Sequence, residues 1–249
     1  DAGESGDLHT TVSRLAWKDL DWINDLSKDR ETAEKPFYRQ HSYRHMAKVL
    51  GHGTNYRGTP ITMAKHTKID RQTVAEFQGK YFAAFPGIPR WHAAVSIRLL
   101  HDGFLVSLTG RRRWFFGRRG DDATIREAIA FDPQGSVGDI LNRGMLQVWR
   151  ANICWLLLQV HDAILIEYPE QDEDKILPTA LKLIEVPIEL RHGRNLLIPS
   201  EAKVGWNWAE WDPRNPDKNP NGLKKWRGPG SDSRKRERRA KANIMDIKL

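Results

Sequence analysis

The hydrophobic and polar positions in the first part of the chain recur with the period of an α-helix. Apolar residues three and four positions apart predict helices over 8–27, 38–56, 71–85 and 88–102. A short strand is predicted from Phe104 to Leu108, followed by a helix over 123–131. The sequence Pro133-Gln134-Gly135 is expected to end that helix, because proline removes a backbone donor and clashes with the preceding turn.

The second part of the chain changes to short apolar strands. A helix from Ser136 onward carries one apolar face: Ile140, Leu141, Met145, Val148 and Trp149. The sequence LLLQVHDAILIEYP, 156–169, then predicts two buried strands joined at His161 and Asp162. A helix near 172–184 and strands over 186–190 and 201–208 follow. Helices that precede an antiparallel sheet indicate an α+β fold.

Composition narrows the class of protein. Of 249 residues, 39% are hydrophobic, enough for a core, and the sequence lacks the run of about eighteen apolar residues that a membrane-spanning helix needs. Cys154 is the only cysteine, so disulfides and cysteine-based zinc sites are excluded, and a reducing cytoplasm is the expected location. A net charge of +8 and an isoelectric point near 9.6 favour an anionic partner, nucleic acid before a membrane surface.

Much of the basic charge lies at the C-terminus. Residues 231–249 hold seven Lys/Arg and three Asp/Glu, a net +4 that is half of the total. The preceding segment is rich in Pro, Gly and Asn, which is typical of an extended linker. We therefore expect a globular body up to residue 211 and a linker with a flexible basic tail over 212–249. The tail is either a solvated end or an additional phosphate contact.

The turn between the two apolar strands is the first candidate for chemistry. Asp162 stands between apolar runs, where burial of an unpaired carboxylate costs several kcal/mol. A carboxylate on a rigid turn suits a divalent cation. The commoner interpretation of an isolated His-Asp pair is an aspartate bonded to its own turn, and these residues alone leave both interpretations open.

The second candidate is the predicted helix in YRHMAKVLGHGTNYRG, 43–58. One face of this helix carries four residues spaced four apart: Arg44, Lys48, His52 and Tyr56. Arginine and lysine suit the oxygens of a triphosphate, and an aromatic ring suits stacking against a base. Gly51 and Gly53 interrupt the helix at about 1 kcal/mol each, which favours close approach of a flat ligand to the backbone. The alternative is an ordinary solvated basic face.

The third candidate is TGRRRWFFGRRGDDATIREAIAFDPQG, 109–135. Five arginines within nine positions, interleaved with three aromatic residues, suit a phosphate backbone: Arg111, Arg112, Arg113, Arg118 and Arg119. Arg126 then starts a helix, and Gln134 stands at its expected end. The glutamine amide can hydrogen-bond either a base edge in a minor groove or the loop around it.

These motifs, in order and together with GDLHT at 6–10, resemble the C-terminal part of a family A, DNA polymerase I-like, DNA polymerase. That family has D-I/L-H-T, then R-x-x-x-K-x-x-x-F/Y-G-x-x-Y in the fingers, then GRRR, RE-A and PQG, and finally QVHDE in the palm hairpin. The resemblance covers roughly residues 6–208, where VPIEL and KVGWNW resemble the end of the palm.

The resemblance implies a nucleotide-binding role for the fingers helix. Arg44 and Lys48 would hold the triphosphate of the incoming dNTP, and Tyr56 would lie against the nascent base pair. His52 stands where the family usually has the Phe or Tyr that packs against the sugar. This departure bears on sugar discrimination and indicates a viral or otherwise divergent branch.

For the palm, the resemblance implies that Asp162 is a catalytic ligand of Mg²⁺, with two ions in the complete site, and that His161 lies beside it at the primer end. Arg126 and Gln134 would lie near the minor groove of the primer–template DNA. Further DNA contacts would come from the GRRR arginines: Arg111, Arg112 and Arg113. The implied reaction is attack of a primer 3′-hydroxyl on the α-phosphate of a dNTP.

A second catalytic aspartate is absent from this sequence. The family carries it in an upstream strand motif of the D-Y-S-Q-I-E-L-R kind, and Ala163 also replaces the Glu of the HDE motif. Glu167 cannot substitute, since its odd separation from Asp162 places it on the opposite face of a strand. We therefore expect a second polypeptide that supplies the N-terminal polymerase half, and a palm sheet with an exposed apolar edge.

The expected organisation is a segment leading into the fingers over 1–30, fingers over 31–135, the C-terminal palm with its HD hairpin over 136–211, and the linker and tail over 212–249. The expected function is template-directed DNA synthesis in the cytoplasm of a bacterium or of a virus-infected host cell. Two alternatives remain: a fragment of a single-subunit RNA polymerase, which shares the fingers helix and the HD hairpin, and a non-catalytic DNA-binding remnant.

Overall fold

The structure is a computed structural model and describes residues 7–39, 41–190, 193–230 and 243–248. Within these ranges the helices are α1 Leu8–Ala16, α2 Leu26–Ala33, α3 Tyr43–Asn55, α4 Pro60–Thr67, α5 Arg71–Ala84, α6 Gly87–Asp102, α7 Asp122–Ala151 and α8 Glu173–Ile184. The strands are β1 Pro36–Tyr38, β2 His41–Ser42, β3 Phe104–Val106, β4 Arg112–Trp114, β5 Trp155–Val160, β6 Ala163–Tyr168, β7 Ile188–Glu189, β8 Asn195–Leu196, β9 Glu201–Gly205, β10 Lys224–Lys225 and β11 Asn243–Lys248.

The chain folds into two compact units. The helical unit comprises Asp1–Val106 and Arg112–Asp132, and the sheet unit comprises Ser107–Arg111 and Pro133–Leu249. Helices that precede an antiparallel sheet confirm the predicted α+β class. In the part of the chain that the structure describes, no helix has both the length and the apolar character needed to cross a membrane.

Helices α1, α3 and α5 enclose the main core of the helical unit. Its central side chains are Val12, Met46, Leu50, Val74 and Phe77. These helices start where a side chain accepts a hydrogen bond from the backbone N–H three residues on, at 3.1 Å for Asp7, 3.2 Å for Ser42 and 2.8 Å for Asp70. Such a cap stabilises a helix by about 1 kcal/mol, and so helps to fix where each helix begins.

The helix predicted over 8–27 is divided into α1 and α2. Asp25 caps α2 and so starts a new helix within the predicted one. Asp29 then holds the intervening loop, because the backbone N–H of Ile23 donates to its carboxylate at 2.9 Å. The helix predicted over 38–56 likewise begins later, after the β1–β2 hairpin.

Helix α7 continues through the proline that was expected to end it. Pro133 removes one helical hydrogen bond, at a cost of about 3 kcal/mol in a helix interior. Buried side chains on both sides of the proline, such as Ile129 and Leu141, offset that cost. Gln134 is therefore an exposed residue within a continuous helix, and its predicted place at a broken helix end is wrong.

The sheet unit is built on five antiparallel strands in the order β10-β9-β11-β6-β5. Side chains of α7 and α8 pack on it in one core: Leu141, Val148, Ile164, Ile166, Tyr168, Leu177, Ile184, Ala202 and Val204. Gly144 permits close approach of α7 and α8, since a Cβ at this position would lie 2.7 Å from the Cα of Ile184.

Strand β5 is exposed, although both strands of the hairpin were predicted to be buried. Every residue of β6 except Glu167 is buried. In contrast, Trp155, Leu157 and Leu158 of β5 are 61%, 43% and 50% exposed. The physical reason is that β5 is an edge strand of the sheet, while β6 has neighbours on both sides. Asp162 is exposed as well, so the cost of a buried carboxylate does not arise here.

The C-terminal strand β11 lies inside the sheet, between β6 and β9. It pairs antiparallel with β6 along Asn243–Lys248 and with β9 along Ile244–Lys248. The predicted flexible tail is therefore wrong for 243–248, while 231–242 lie outside the described residues. The expected exposed apolar edge is present at β5, where Trp155, Leu157 and Leu158 are exposed.

Candidate active site

Helix α3 carries Arg44, Lys48 and His52, and Tyr56 is its C-cap; these four residues are called the α3 stripe. Lys48 and His52 are exposed, and Arg44 and Tyr56 are half-buried. The rings of His52 and Tyr56 meet edge to face with their centroids 4.8 Å apart. One helix thus presents a cationic end and an aromatic end about two turns apart, as the sequence spacing predicted.

Arg44 is held by an acidic partner that the sequence analysis did not identify. Its guanidinium donates to both carboxylate oxygens of Asp7, from Nε at 3.1 Å and from Nη2 at 3.2 Å, and it lies 3.7 Å from Glu34. Asp7 is only 7% exposed. Burial opposes its negative charge, but hydrogen bonds from Arg44 and Thr10 outweigh burial and lower the pKa of Asp7. Arg44 is therefore a cation oriented by α1.

A pocket of about 480 Å³ lies beside the stripe. Its lining includes side chains of α1, α3 and α5: Leu8, His9, Val12, Lys48, His52 and Tyr81. Within the described residues Lys48 has no ion-pair partner, so its ammonium group is available to an anion. Burial, reinforced by the charges of Arg44 and Lys48, lowers the pKa of His9 and keeps its imidazole neutral at pH 7.

The two glycines of α3 make room for side chains of the same unit. A Cβ at Gly51 would lie 3.4 Å from the ring of Tyr81, and one at Gly53 would lie 2.8 Å from Cε of Met63. Tyr81 is buried, and its hydroxyl donates to Asn55 at 3.1 Å. Tyr81 and Met63 thus account for part of the space at these glycines, but Gly51 also lines the pocket, and its close approach to a flat ligand stays a prediction.

The β3–β4 hairpin carries two adjacent arginines with different partners. Arg112 lies over the ring of Phe104, 4.6 Å from its centroid, a geometry that leaves its in-plane N–H groups open. Arg113 forms an ion pair with Glu127 and lies 5.1 Å from the centroid of Phe115. Of these two candidates, Arg112 is the one without an ion-pair partner among the described residues, so its N–H groups are available to a phosphate.

The other DNA-binding candidates also differ in their partners. Arg126 forms an ion pair with Asp122, one helical turn back in α7. Arg111 belongs to the sheet unit and donates to Asp139 from Nε at 2.9 Å, which lowers the pKa of Asp139. Gln134 is exposed. Two of these three predicted contacts are thus partly neutralised by the chain's own carboxylates.

Asp162 occupies the two-residue turn of the β5–β6 hairpin. His161, the first turn residue, has φ = 53°, a positive value of the kind that two-residue hairpin turns require. Both side chains are exposed. Asp162 faces a cleft of about 880 Å³, which Glu201, Lys225 and Arg227 also line.

Asp162 is the acidic residue of this cleft whose carboxylate has no ion-pair partner among the described residues. The other acidic side chain of the cleft, Glu201, forms an ion pair with Lys225 at 2.6 Å. Across the described ranges, no group of three or more His, Cys, Asp or Glu side chains is arranged to hold a metal ion. Asp162 fits as one oxygen ligand of a divalent cation, whereas a site for two cations requires at least one further carboxylate.

Comparison with known proteins places these features in one family. A model described as DNA polymerase family A matches residues 30–210. DNA polymerase I of Chloroflexus aurantiacus is 32% identical over 202 residues, which are 77% of this chain and 21% of the relative. DNA polymerase I of Caldicellulosiruptor bescii is 29% identical over 177 residues, 67% of this chain and 20% of the relative. This chain therefore spans about a fifth of the length of these relatives.

A solved structure has the same fold over most of the chain. The POL domain of Pol1 from M. smegmatis, in complex with DNA primer-template and dNTP, gives a TM-score of 0.61 at 23% identity. The similarity covers 73% of this chain and 31% of the other. The α3 stripe, the β3–β4 hairpin and Asp162 all fall within the matched residues 30–210, whereas Asp7 and His9 precede them.

Proposed function

Because the chain belongs to DNA polymerase family A, we propose that it forms the fingers and the C-terminal palm of an enzyme that synthesises DNA. The reaction is template-directed transfer of a nucleotide from a dNTP to a primer 3′-hydroxyl. The match of residues 30–210 carries this proposal, since that region contains the stripe, the arginine hairpin and Asp162 in the family's order. The bacterial relatives support a place in the cytoplasm of a bacterium, and a virus-infected host cell is the alternative location in this proposal.

In this proposal the α3 stripe binds the incoming dNTP. Lys48 contacts the triphosphate, because its ammonium group is exposed beside the pocket and free of an ion pair among the described residues. Arg44 contacts the phosphates from an orientation that Asp7 fixes. The rings of His52 and Tyr56 supply apolar surface for the sugar and the base.

In this proposal, primer–template DNA binds through exposed side chains that form no ion pair among the described residues. Arg112 has free N–H donors for a phosphate, and Gln134 is exposed on α7 for a base edge in the minor groove. Near Arg112, Trp114 and Phe116 are 51% and 97% exposed, which suits stacking on bases. Arg111, Arg113 and Arg126 contribute positive charge to the same function.

Asp162 holds a Mg²⁺ ion in this proposal, and His161 lies beside it at the primer end. When bound, a pair of Mg²⁺ ions lowers the pKa of the primer hydroxyl and neutralises the leaving pyrophosphate. The chain's own contribution is to fix the Asp162 carboxylate on a tight turn of a packed hairpin. We propose that a second polypeptide, with the N-terminal polymerase half, supplies the other carboxylate.

A chimeric enzyme tests this function. In it, residues 30–210 of this chain replace the matching segment of the Chloroflexus aurantiacus DNA polymerase I. We expect the folded chimera to extend a primer with dNTPs and magnesium, and the 249-residue chain alone to bind DNA without extending it.

Each other outcome favours a different interpretation. A folded chimera that binds DNA but extends no primer would favour the non-catalytic DNA-binding remnant. Extension with NTPs in preference to dNTPs would favour the RNA polymerase interpretation. Extension by the chain alone would contradict the need for a second polypeptide.

A further inference from the structure

The chain after β9 folds back onto that strand over residues 206–228, which we call the fold-back segment. The backbone N–H of Trp206 donates to the carbonyl of Asn221 at 2.8 Å, and that of Leu223 donates to the carbonyl of Ala209 at 2.8 Å. Strand β10, within this segment, pairs antiparallel with β9. The segment is therefore a packed part of the sheet unit, and most of it lies beyond the residues that the family model matches.

Side chains and glycines fix the path of this segment. The amides of Asn207 and Asn219 donate to each other, at 3.0 and 3.1 Å. A Cβ at Gly205 would lie 2.8 Å from the carbonyl carbon of Gly222, so the two passes of the chain come closer together than a larger residue allows. These contacts determine where the residues after Gly222 lie on the sheet.

Trp226 anchors the end of the fold-back segment. Its partly buried ring packs against the core of the sheet unit, and its backbone N–H donates to the carbonyl of Ala202 at 2.9 Å. The residues before and after it, Lys225 and Arg227, are exposed. The packed ring thus fixes the backbone from which both cations extend.

The two cations differ in their partners. The ammonium group of Lys225 forms an ion pair with Glu201 at 2.6 Å. Within the described residues Arg227 forms no ion pair and no side-chain hydrogen bond, so its five N–H donors are available to an anion. The planar fork of a guanidinium matches two oxygens of a phosphate, which makes a phosphate a suitable ligand for Arg227.

Arg227 and Asp162 line the same cleft, which has a volume of about 880 Å³. Clefts of roughly 300–1,000 Å³ hold ligands of drug size. Among the described residues the two side chains form no ion pair with each other, so each can contact a different group of one ligand. A nucleic-acid strand that ends in this cleft offers both groups: a backbone phosphate for the guanidinium, and a 3′-hydroxyl for a cation held at Asp162.

We propose that Arg227 binds a backbone phosphate of the primer strand near its 3′ end. This contact places the 3′-hydroxyl on the Asp162 side of the cleft, so Arg227 is a positioning residue. A phosphate carries no sequence information, and the contact therefore serves a primer of any sequence. The inference rests on the proposed function, because it adds to that function a primer contact from the fold-back segment.

The first test measures binding of a fluorescent primer–template by the full chain. Arg227→Ala should weaken binding a few-fold and reduce the slope of log affinity against log salt by about 0.9, the value for one lost phosphate contact. Arg227→Lys keeps the charge and should retain the slope. Lys218→Ala is the matched control, since Lys218 is an exposed cation of the same segment that does not line the cleft, and it should change neither quantity. Anisotropy titrations over a range of salt concentrations measure both.

The second test locates the phosphate. A series of primers carries one neutral methylphosphonate each, at successive linkages counted from the 3′ end. One linkage near the 3′ end should weaken binding by the unchanged chain a few-fold when it is neutralised, and the same primer should bind Arg227→Ala no more weakly than the unmodified primer does. A residue with a purely structural role would lower the affinity for all primers and leave the sensitivity to that linkage unchanged.

An Arg227→Ala chain with the affinity and salt slope of the unchanged chain would overturn the inference. So would an Arg227→Ala chain that keeps its sensitivity to the neutralised linkage, while slow hydrogen exchange at the Trp226 N–H shows that the anchor is intact. The chimera with residues 30–210 does not contain Arg227, so its primer extension reports on the proposed function independently. Failure of the chimera would count against that function, whereas DNA binding that does not depend on Arg227 would count against this inference alone.

Discussion

The two charged sites of this chain, the α3 stripe and the Asp162 turn, are supported in different ways. On α3, Arg44 is fixed by the buried Asp7, and Lys48 lies open beside a pocket formed within the helical unit. At the β5–β6 turn, Asp162 is exposed and faces a cleft that Glu201 and Lys225 also line. The side chains that we propose for the nucleotide thus support one another within the helical unit, whereas Asp162 belongs to no cluster of possible metal ligands among the residues that the structure describes.

Of the predicted changes, removal of the Asp162 carboxylate should have the largest effect on the rate of primer extension. In the chimera, Asp162→Asn should lower the rate of primer extension by about 1,000-fold or more, because a metal ligand acts chiefly in the transition state. DNA affinity should stay within a few-fold. Glu167→Gln on the same hairpin is the matched control and should retain most of the rate. Single-turnover extension measures both, and a near-normal rate for Asp162→Asn would remove this residue from the site.

Removing the ammonium group of Lys48 should have the next largest effect, on the binding of dNTP. In the chimera, Lys48→Ala should weaken dNTP binding by about 10–100-fold, the loss expected for a charge-assisted hydrogen bond of roughly 1.5–3 kcal/mol. Lys80→Ala, on an exposed position of α5, is the control and should leave dNTP binding unchanged. The dNTP dependence of single-turnover rates gives the affinity. A Lys48→Ala variant that altered only DNA affinity would make the stripe a backbone contact.

The elements that the sequence predicted well are those whose limits are set locally. Helix α5 agrees with the pattern over 71–85, and Asp70 caps it in the expected way. The limits of α7 and the exposure of β5 depend instead on packing between residues far apart in the sequence. Burial on both sides of Pro133 carries α7 past the residue that should have stopped it, and β5 is exposed because it lies at the sheet edge.

For β11 a signal was present in the sequence. From Met245 to Lys248 apolar and polar residues alternate, which is typical of a strand with one apolar face. The arginine and lysine residues before this stretch led to the interpretation of a flexible basic tail. Periodicity indicates that such a segment can form a strand. It does not indicate that the strand pairs with β6 and β9, since pairing between residues far apart in sequence depends on the tertiary structure.

In the candidate site, spacing alone placed the stripe on one helical face, but it could not show which cations have partners. The GDLHT sequence served only as part of a motif, although its Asp7 fixes Arg44 and its His9 lines the pocket. Likewise, Arg112 and Arg113 are equivalent in the sequence, and only the fold pairs one of them with Glu127. Ion pairs between residues far apart in the sequence can be identified only from the tertiary structure.

The support that Asp7 gives to Arg44 can be measured as stability. Asp7→Asn keeps a residue that caps helices equally well and removes only the charge. The free energy of opening of α1 should fall by about 2 kcal/mol, because Arg44 loses a buried ionic partner. Native-state hydrogen exchange measures it. Asp25→Asn, at the exposed cap of α2, is the control and should change stability by less than about 0.5 kcal/mol.

The same pair predicts a pH dependence. The folded state lowers the pKa of Asp7, so its stabilising effect is complete above the ordinary pKa of the unfolded chain, about 3.9, and is lost as the pH falls through the folded value. Protection of α1 in the unchanged chain should therefore decline below about pH 4 more steeply than in Asp7→Asn. Equal declines in both proteins would show that Asp7 does not stabilise α1 through its charge.

The smallest predicted effect separates the two adjacent arginines of the β3–β4 hairpin. Arg112→Ala should weaken DNA binding by the full chain a few-fold and reduce the slope of log affinity against log salt by about 0.9, the value for one lost phosphate contact. Arg113→Ala should leave that slope unchanged and instead increase hydrogen exchange in the hairpin, because its guanidinium is engaged with Glu127 and Phe115. Anisotropy titrations over a range of salt concentrations distinguish the two variants. Equal changes in slope would mean that DNA draws Arg113 away from Glu127, and that ion pairs within the free chain do not decide which arginines bind phosphate.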